Sequence, residues 1–532
     1  MLALKFAENC LNSLYTHIEE LSNPSTIQDN IFKDIVLKNS RTVFAKEMGF
    51  SNIGSFDEYR ESQKITSYQD YQAYINRIIE GDRQQLTVCP TYMLLKTSGT
   101  TGLSKMIPKN IHWRTPYRTK AISAQWGLYE KLCPGILSDW KGVIDLSWQR
   151  KTPEAFIGGL PYQSITNRSS AISIDDWMPP WYTESWFSED STELISHLQN
   201  VLVFFLEKDV KAIVSVNPST IILLDQLLKE NSEQLLYKAL KANSNQKNLK
   251  KLEYYKKLLQ QNEKLSLGHI WPNMRLISCW KSGGASLYLK EVSELFPNAI
   301  TVPFSSLGTE GVVAIPVDEH PSAMPLAINQ GLFEFLPQGD GCSTNHCKKT
   351  LKFNELSVGS TYQLITTQAN GLYRYNTDDY YKVVEYYKGV PRIEYMGRGA
   401  TIHSFTGEKL CETDLIAAIE YVENELGINL RPFYCVPTWA SVPFYKVYIP
   451  AYSKNIKDLG LESIASKIDE RICVINEEYG HKRFTRRLNP VVIELRKEEG
   501  VFNRKELGKA GNISGLQKKY RIIRDRDNTM VA

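Results

Sequence analysis

The sequence predicts an α/β protein. It has a large N-terminal domain of layered α/β with an appended β-barrel-like part, and a smaller C-terminal α+β domain. Three observations predict this. Strand-like and helix-like segments alternate over the first three hundred residues, the pattern of helices packed on a sheet. From residue 331 the rhythm becomes short strands and turns, as in "GLFEFLP", "TYQLITTQANGLYRYNTDDYYKVVEYY" and "PRIEYMG". After "GRGATIHSFTGEKL" it changes again, to helix, strand, helix and strand. At 532 residues the chain exceeds what one hydrophobic core usually supports. The boundary is placed at the Gly397-Arg398-Gly399 step, giving domains 1–397 and 398–532.

The elements follow in order. "MLALKFAENCLNSLYTHIEEL" carries apolar residues at helical spacing with acids among them, so it reads as an amphipathic helix and not a signal peptide. The pattern stays helical to about residue 85, with a capping-type start in "TSYQDYQAYINRIIEG" and Gly81 as its stop. "TVCPTYMLLKT" is a strand entering a small-residue loop. Two long helical stretches follow "VNPST", and then come the strand "MRLISCW", a Gly pair, the helix "SLYLKEVSELF" and the strand "AITVPFSS". In the C-terminal part "ETDLIAAIEYVENEL" and "LESIASKIDERICVINEEYG" are helices, while "PFYKVYIPAY" and "PVVIELR" are strands.

Composition is that of a globular protein, with 42% hydrophobic and 23% charged residues and a mean hydropathy of −0.32. A net charge of +4 makes no global case for nucleic acid or an anionic membrane. No stretch approaches the roughly 18 consecutive apolar residues of a membrane span. Nine scattered cysteines without a CxxC pair fit free thiols in a reducing cytoplasm. Cys342, His346 and Cys347 form one loose cluster, too sparse for a zinc site.

"TSGTTGLSKMIP", residues 97–108, has the composition of a phosphate-binding loop. The helix-backed loop G-x4-G-K-[ST] is excluded by spacing: only two residues separate Gly99 from Gly102, and Pro108 behind Lys105 sends the chain into a strand. What remains is a loop between strands. Its backbone amides and the hydroxyls of Ser98, Thr100 and Thr101 wrap phosphates, with Lys105 as a point charge. An ordinary solvated turn is the competing reading. Three later segments complement the loop: "KSGGAS" brings backbone close to a flat adenine, and "SLGTEG" offers Thr309 and Glu310, the latter as a Mg²⁺ ligand. "YRYNTDD" sets a carboxylate, Asp379, to receive the ribose hydroxyls; a hairpin turn would favour the same residues.

In this order, "TSGTTGLSKMIP", "SGGAS", "GTEGVVAIP", "FEFLP", "GLYRYNTDD" and "GEKLCETDL" resemble the adenylate-forming Gretchen Hagen family. These are acyl-acid amido synthetases known from plant auxin and jasmonate conjugation, and "GTEGVV" with "GEKL" looks like its bacterial members. The resemblance implies a two-step reaction. ATP and a carboxylic acid give an acyl-adenylate and pyrophosphate, and an amino acid or other amine then displaces AMP to form an amide. It implies that Thr97, Ser98, Gly99, Thr100, Thr101, Gly102 and Lys105 hold phosphates and that Gly283, Gly284 and Ala285 face adenine. Thr309 and Glu310 would meet the α-phosphate and Mg²⁺, Asp379 would bind ribose, Arg398 would sit at the hinge, and Lys519 in "LQKKYR" would be the lysine of a mobile C-terminal lid. Lys518 stays open as the alternative to Lys519, and Asp378 as the alternative to Asp379.

The chain departs from plant members in "NTD" before Asp379, in Phe333 where Tyr is common, and in lacking Pro beside the lid lysine. Arg114, Arg118 and Arg168 read first as surface arginines and second as partners for the acid, and His112 as a candidate base. The other readings are an acid–thiol (CoA) ligase using the same adenylate, and a non-catalytic nucleotide-binding protein. A cytoplasmic monomer serving a specialised biosynthetic step completes the expectation.

Overall fold

The computed structural model describes residues 2–97, 105–147, 152–166, 179–188, 194–242, 246–261, 264–337, 350–399, 402–403, 405, 408, 410–440, 442–451, 456–496 and 523. Ser98, Gly99, Thr100, Thr101, Gly102, Arg168, Lys518, Lys519 and the cluster Cys342, His346 and Cys347 lie outside these residues. The described cysteines are all free thiols. Among the described residues no helix is long and apolar enough to cross a membrane.

The expected N-terminal helix is Leu2–Glu20. It lies against the helix Lys120–Leu132, where a Cβ on Gly127 would stand 2.1 Å from the Cys10 carbonyl oxygen. The start expected in "TSYQDYQ" is a capping box: Asp70 accepts from the Ser67 backbone at 2.8 Å, and Gly81 ends the helix at φ +121°. Strands β1 (Thr91–Lys96) and β2 (Met106–Asn110) form an antiparallel hairpin around the Ser-Thr-Gly loop, with Leu95 opposite Ile107 and Leu94 opposite Pro108. Pro108 is tolerated because β2 is an edge strand, where a missing donor breaks no ladder.

Strand β3 (Val143–Asp145) belongs to a second sheet, while β4 (Ala155–Ile157) and β5 (Leu160–Ser164) complete the first in the order β2-β1-β5-β4. The second sheet continues through β6 (Ala212–Val214), β7 (Leu276–Cys279) and β8 (Ile300–Pro303), parallel throughout in the order β3-β6-β7-β8. The residues of β3, β6 and β7 are all buried, which explains their apolar runs. Helices Leu194–Phe205 and Pro218–Ala242 share its core, and Asn231 breaks the helical backbone of the longer one at φ −123°.

After the short pair β9 (Ser306–Leu307) and β10 (Val312–Ala314), the change of rhythm becomes a five-stranded antiparallel sheet. It contains β11 (Met324–Pro325), β12 (Leu332–Pro337), β13 (Thr361–Gln368), β14 (Leu372–Tyr387) and β15 (Val390–Arg398), in the order β11-β15-β14-β13-β12. Two of the recurring motifs meet inside it. Arg374 of "GLYRYN" forms a buried pair with Glu334 of "FEFLP", Nη2 to Oε2 at 2.6 Å and Nε to Oε1 at 2.9 Å. Neither is more than 2% exposed, so this pair joins β12 to β14 as structure. Phe333 is also fully buried.

Beyond Arg398 come β16 (Ile402–His403) and β17 (Leu410–Cys411), and then β18 (Tyr434–Thr438), β19 (Phe444–Pro450) and β20 (Val492–Arg496) with helices Glu412–Leu426 and Leu461–Ile475. These elements have their own hydrophobic core, which runs from Leu410 to Ile523.

Candidate active site

The hairpin geometry closes the neck of the loop. Thr97 N–H donates to the Lys105 carbonyl at 3.1 Å, and Lys105 N–H donates back to Thr97 Oγ1 at 3.0 Å. Lys105 then reaches across the fold: Nζ donates to the Tyr375 hydroxyl at 3.1 Å and lies within 5.7 Å and 5.8 Å of the Tyr68 and Tyr375 ring centroids. The Tyr68 hydroxyl accepts from Met106 N–H at 3.0 Å, which fixes the cage to the strand. Two aromatic faces hold a cation while leaving its remaining donors available to an anion.

A second cluster forms where β14 and β15 pair. Asp379 stands opposite Arg398 in the antiparallel register. The Tyr395 hydroxyl reaches Asp379 Oδ1 at 3.4 Å, and the Tyr395 ring lies 3.5 Å from where a Cβ on Gly283 would be. Gly283 has φ +60°, so this close, left-handed turn favours glycine. Gly284 and Ala285 continue it in the short helix Gly283–Tyr288. Asp378 behaves differently from Asp379: it adopts φ +61°, is exposed, and has its Oδ1 where a Cβ on Gly399 would come within 2.5 Å.

The third cluster is the turn between β9 and β10. Thr309 is buried, and its hydroxyl donates to Glu310 Oε2 at 2.8 Å. Asn370 Nδ2 holds the Glu310 carbonyl at 3.2 Å, and Arg118 Nη1 holds the Gly308 carbonyl at 3.2 Å. A Cβ on Gly311 would lie 2.3 Å from the Gln368 side chain, so the turn is packed onto β13. Mg²⁺ commonly takes one or two carboxylates, with phosphates and water filling the remaining positions. Glu310 spends one oxygen on a neutral hydroxyl, a donor set that fits this ion. Among the described residues no group of three His, Cys, Asp or Glu side chains competes as a metal site.

One strand gathers all three clusters. Asn370 precedes β14 and holds the Glu310 turn, Tyr375 within it meets Lys105, and Asp379 further along meets Tyr395. Sequence reasoning missed Tyr68, Tyr375 and Tyr395. Tyr375 stands inside the quoted "YRYNTDD", but the other two had no local signal. The surface reading of two arginines is corrected: Arg114 and Arg118 are 6% and 1% exposed, because the π-helical turn Arg114–Thr119 is packed inward. His112 Nε2 lies 2.7 Å from Asp34 Oδ2, with Lys38 at 3.5 Å, and burial lowers its pKa, so at neutral pH this is a hydrogen bond of a neutral ring and not an ion pair. The signal was Asp34 itself, on the helix Pro24–Ile35.

The sequence matches the model of the GH3 family N-terminal domain over residues 15–301 and that of the GH3 family central domain over residues 324–398. The chain belongs to the GH3 family, as its ordered motifs implied. Its relatives include the indole-3-acetic acid-amido synthetase GH3.2 of Arabidopsis thaliana, 24% identical and aligned over 76% of this chain and 79% of that protein. The 4-substituted benzoates-glutamate ligase GH3.12 of Arabidopsis thaliana is 24% identical over 86% of this chain and 84% of its own length. Among solved structures, the AtGH3.15 acyl acid amido synthetase in complex with 2,4-DB superposes with a TM-score of 0.76 at 17% identity, covering 98% of this chain and 94% of that one. This shared fold is the large-plus-small α/β architecture read from the sequence.

Proposed function

We propose that this chain is an ATP-dependent acid–amine ligase. It activates a carboxylic acid as its acyl-adenylate, releases pyrophosphate, and transfers the acyl group to an amino acid or related amine. The observation that carries this reading is the convergence of Lys105, the Thr309–Glu310 turn and Asp379 on β14, in a chain of the GH3 family. Attack of a carboxylate on the α-phosphate brings two anions together. Fixed donors aimed at the developing charge lower that barrier. In this reading Ser98 to Gly102 and Lys105 hold the leaving pyrophosphate, Gly283 to Ala285 border adenine, and Asp379 takes the ribose hydroxyls. Glu310 would hold Mg²⁺, which would offset phosphate charge when bound.

The domains are 1–397 and 398–532, hinged at Arg398, and Lys519 arrives on the smaller one for the first step and leaves for the second. Support comes from Ile523, whose backbone bridges to Cys435 of β18 and donates to Glu412 Oε1 at 3.2 Å. Lys519 is four residues upstream of that anchor in the sequence. A lid of this kind excludes water from the reactive mixed anhydride. The protein acts as a cytoplasmic monomer of the bacterial type, in a specialised biosynthetic step.

Acid-dependent pyrophosphate exchange over a panel of carboxylic acids tests the first step, and mass analysis with amino acids or CoA as acceptor tests the second. Exchange with some acid and an amide product are expected. Absence of exchange with every acid would refute ligation, and thioester formation in place of amide would transfer the reading to the acid–thiol alternative. Lys519→Ala should abolish exchange while sparing amide formation from a supplied acyl-adenylate; equal loss of both would reject the lid role.

A further inference from the structure

A cavity of about 430 Å³ lies between the short helix Ser185–Ser188, the helix Leu194–Phe205 and the last residue of the helix Pro218–Ala242. That volume is in the range of small-molecule sites. The cavity stands apart from the three clusters described above, and no residue lining it belongs to them. The chain entering the helix Pro218–Ala242 is tied to the segment leading to Gly283, where Trp280 N–H donates to the Val216 carbonyl at 3.0 Å. The cavity is at Ala242, the other end of this 25-residue helix.

Its walls are of two kinds. Trp186, Val203 and Phe204 are apolar, and Trp186 packs edge-on against Phe205 with 4.9 Å between ring centroids. Asn200, Glu207 and Lys208 are polar and half-buried. The Lys208 ammonium stands over the Phe204 ring and 5.2 Å from the Phe205 centroid. Among the described residues no carboxylate forms an ion pair with it. Burial pushes this amine down to about 8, against the pull of Glu207 and Glu184, so at neutral pH it is charged but short of water. Ring faces replace only part of a lost hydration shell, and the three donors of an ammonium want acceptors. Glu207 is the anion beside it. A carboxylate offers about four acceptor positions, so the partners it already has do not exhaust it. A ligand with only a negative charge would meet Glu207, and one with only a positive charge would meet Lys208. A ligand carrying both charges on an apolar body suits the whole lining.

We propose that this cavity is a second ligand site, for a free α-amino acid with an aromatic side chain. Its carboxylate lies on Lys208, its ammonium on Glu207, and its ring against Trp186, Val203 and Phe204, where aromatic faces and edges pack well. Binding here needs neither ATP nor an acid, so the proposal does not rest on the ligase reading.

The test is titration calorimetry of the full-length protein, without ATP, with three matched probes. These are L-phenylalanine, hydrocinnamate, which lacks the ammonium, and phenethylamine, which lacks the carboxylate. L-Phenylalanine is expected to bind about tenfold or more tighter than either. Lys208→Met should weaken it by about tenfold or more, and Val203→Trp, which fills the cavity, should abolish binding. Thermal melts establish that each variant is folded, and the ranking of the probes on the wild type stands even where one is not. No binding of L-phenylalanine, or a singly charged probe binding as tightly, would overturn the proposal. Affinity unchanged in a folded variant would also overturn it, placing the amino acid at another site.

Discussion

At the scale of single residues, the Tyr68–Tyr375 cage changes what Lys105 is. It is a cation positioned by partners from distant parts of the chain. Lys105→Ala should lower pyrophosphate exchange by about a hundredfold. Tyr375→Phe keeps the ring and loses the hydroxyl, and should cost less than about tenfold. Equal losses from the two, measured as kcat/KM for ATP, would contradict the cage. The Asp34–His112 pair makes a separate, pH-dependent contribution. Burial pushes the Asp34 carboxyl up, but the Tyr117 hydroxyl, His112 and Lys38 outweigh it and hold it below the usual carboxylate range. Burial keeps the His112 ring below its usual value, against the pull of Asp34. Both folded values lie below the unfolded ones, so the stabilisation is complete above a pH of about 6.5 and lost as pH falls through the folded values. Urea midpoints should therefore fall between pH 7 and pH 4, and Asp34→Asn, which removes the carboxylate that holds the His112 value up, should deepen that fall; an unchanged pH dependence would exclude the pair as a contributor.

At the scale of elements, the turn signals were legible and the docking was not. Pro108 and the glycine spacing pointed to a strand behind the loop, and β2 pairs with β1 as that requires. Gly81 and the Ser67–Asp70 box also sit where their local chemistry demands. By contrast, no local pattern in the sequence marks Gly127. Its place is fixed by the N-terminal helix, whose Cys10 carbonyl would be 2.1 Å from any added Cβ. Gly127→Ala should push the two helices apart at a cost of about 1–3 kcal/mol. A thermal melt showing no destabilisation would mean that the helices do not meet this way. The Glu334–Arg374 pair carries the same lesson: two motifs that marked the family are joined to each other inside the sheet, not aimed at a ligand.

At the scale of the whole molecule, the segment after Arg398 gathers its own core, and Ile523 is its last described member at 2% exposure. Burying a charge there costs several kcal/mol unless the segment lets go. Ile523→Asp should therefore release the chain that carries Lys519. Exchange should fall about as far as in Lys519→Ala, and ATP affinity by titration calorimetry should persist. Loss of ATP binding along with exchange would show that the anchor supports the large domain instead.

The sequence by itself determined the alternation of strands and helices, the strand-backed loop, the order of the motifs and through them the family, because caps, prolines and periodicity act within a few residues. It also named Lys105, Thr309, Glu310 and Asp379 as types suited to a nucleotide. Only the tertiary structure decided that β14 would bring three of those regions together, that Tyr395 would join Gly283 to Asp379, and that Arg114 and Arg118 would be buried. Lys105 and Tyr375 are 270 positions apart. No local pattern specifies which faces pack across such a distance, because burial belongs to the assembled layers and not to any one of them.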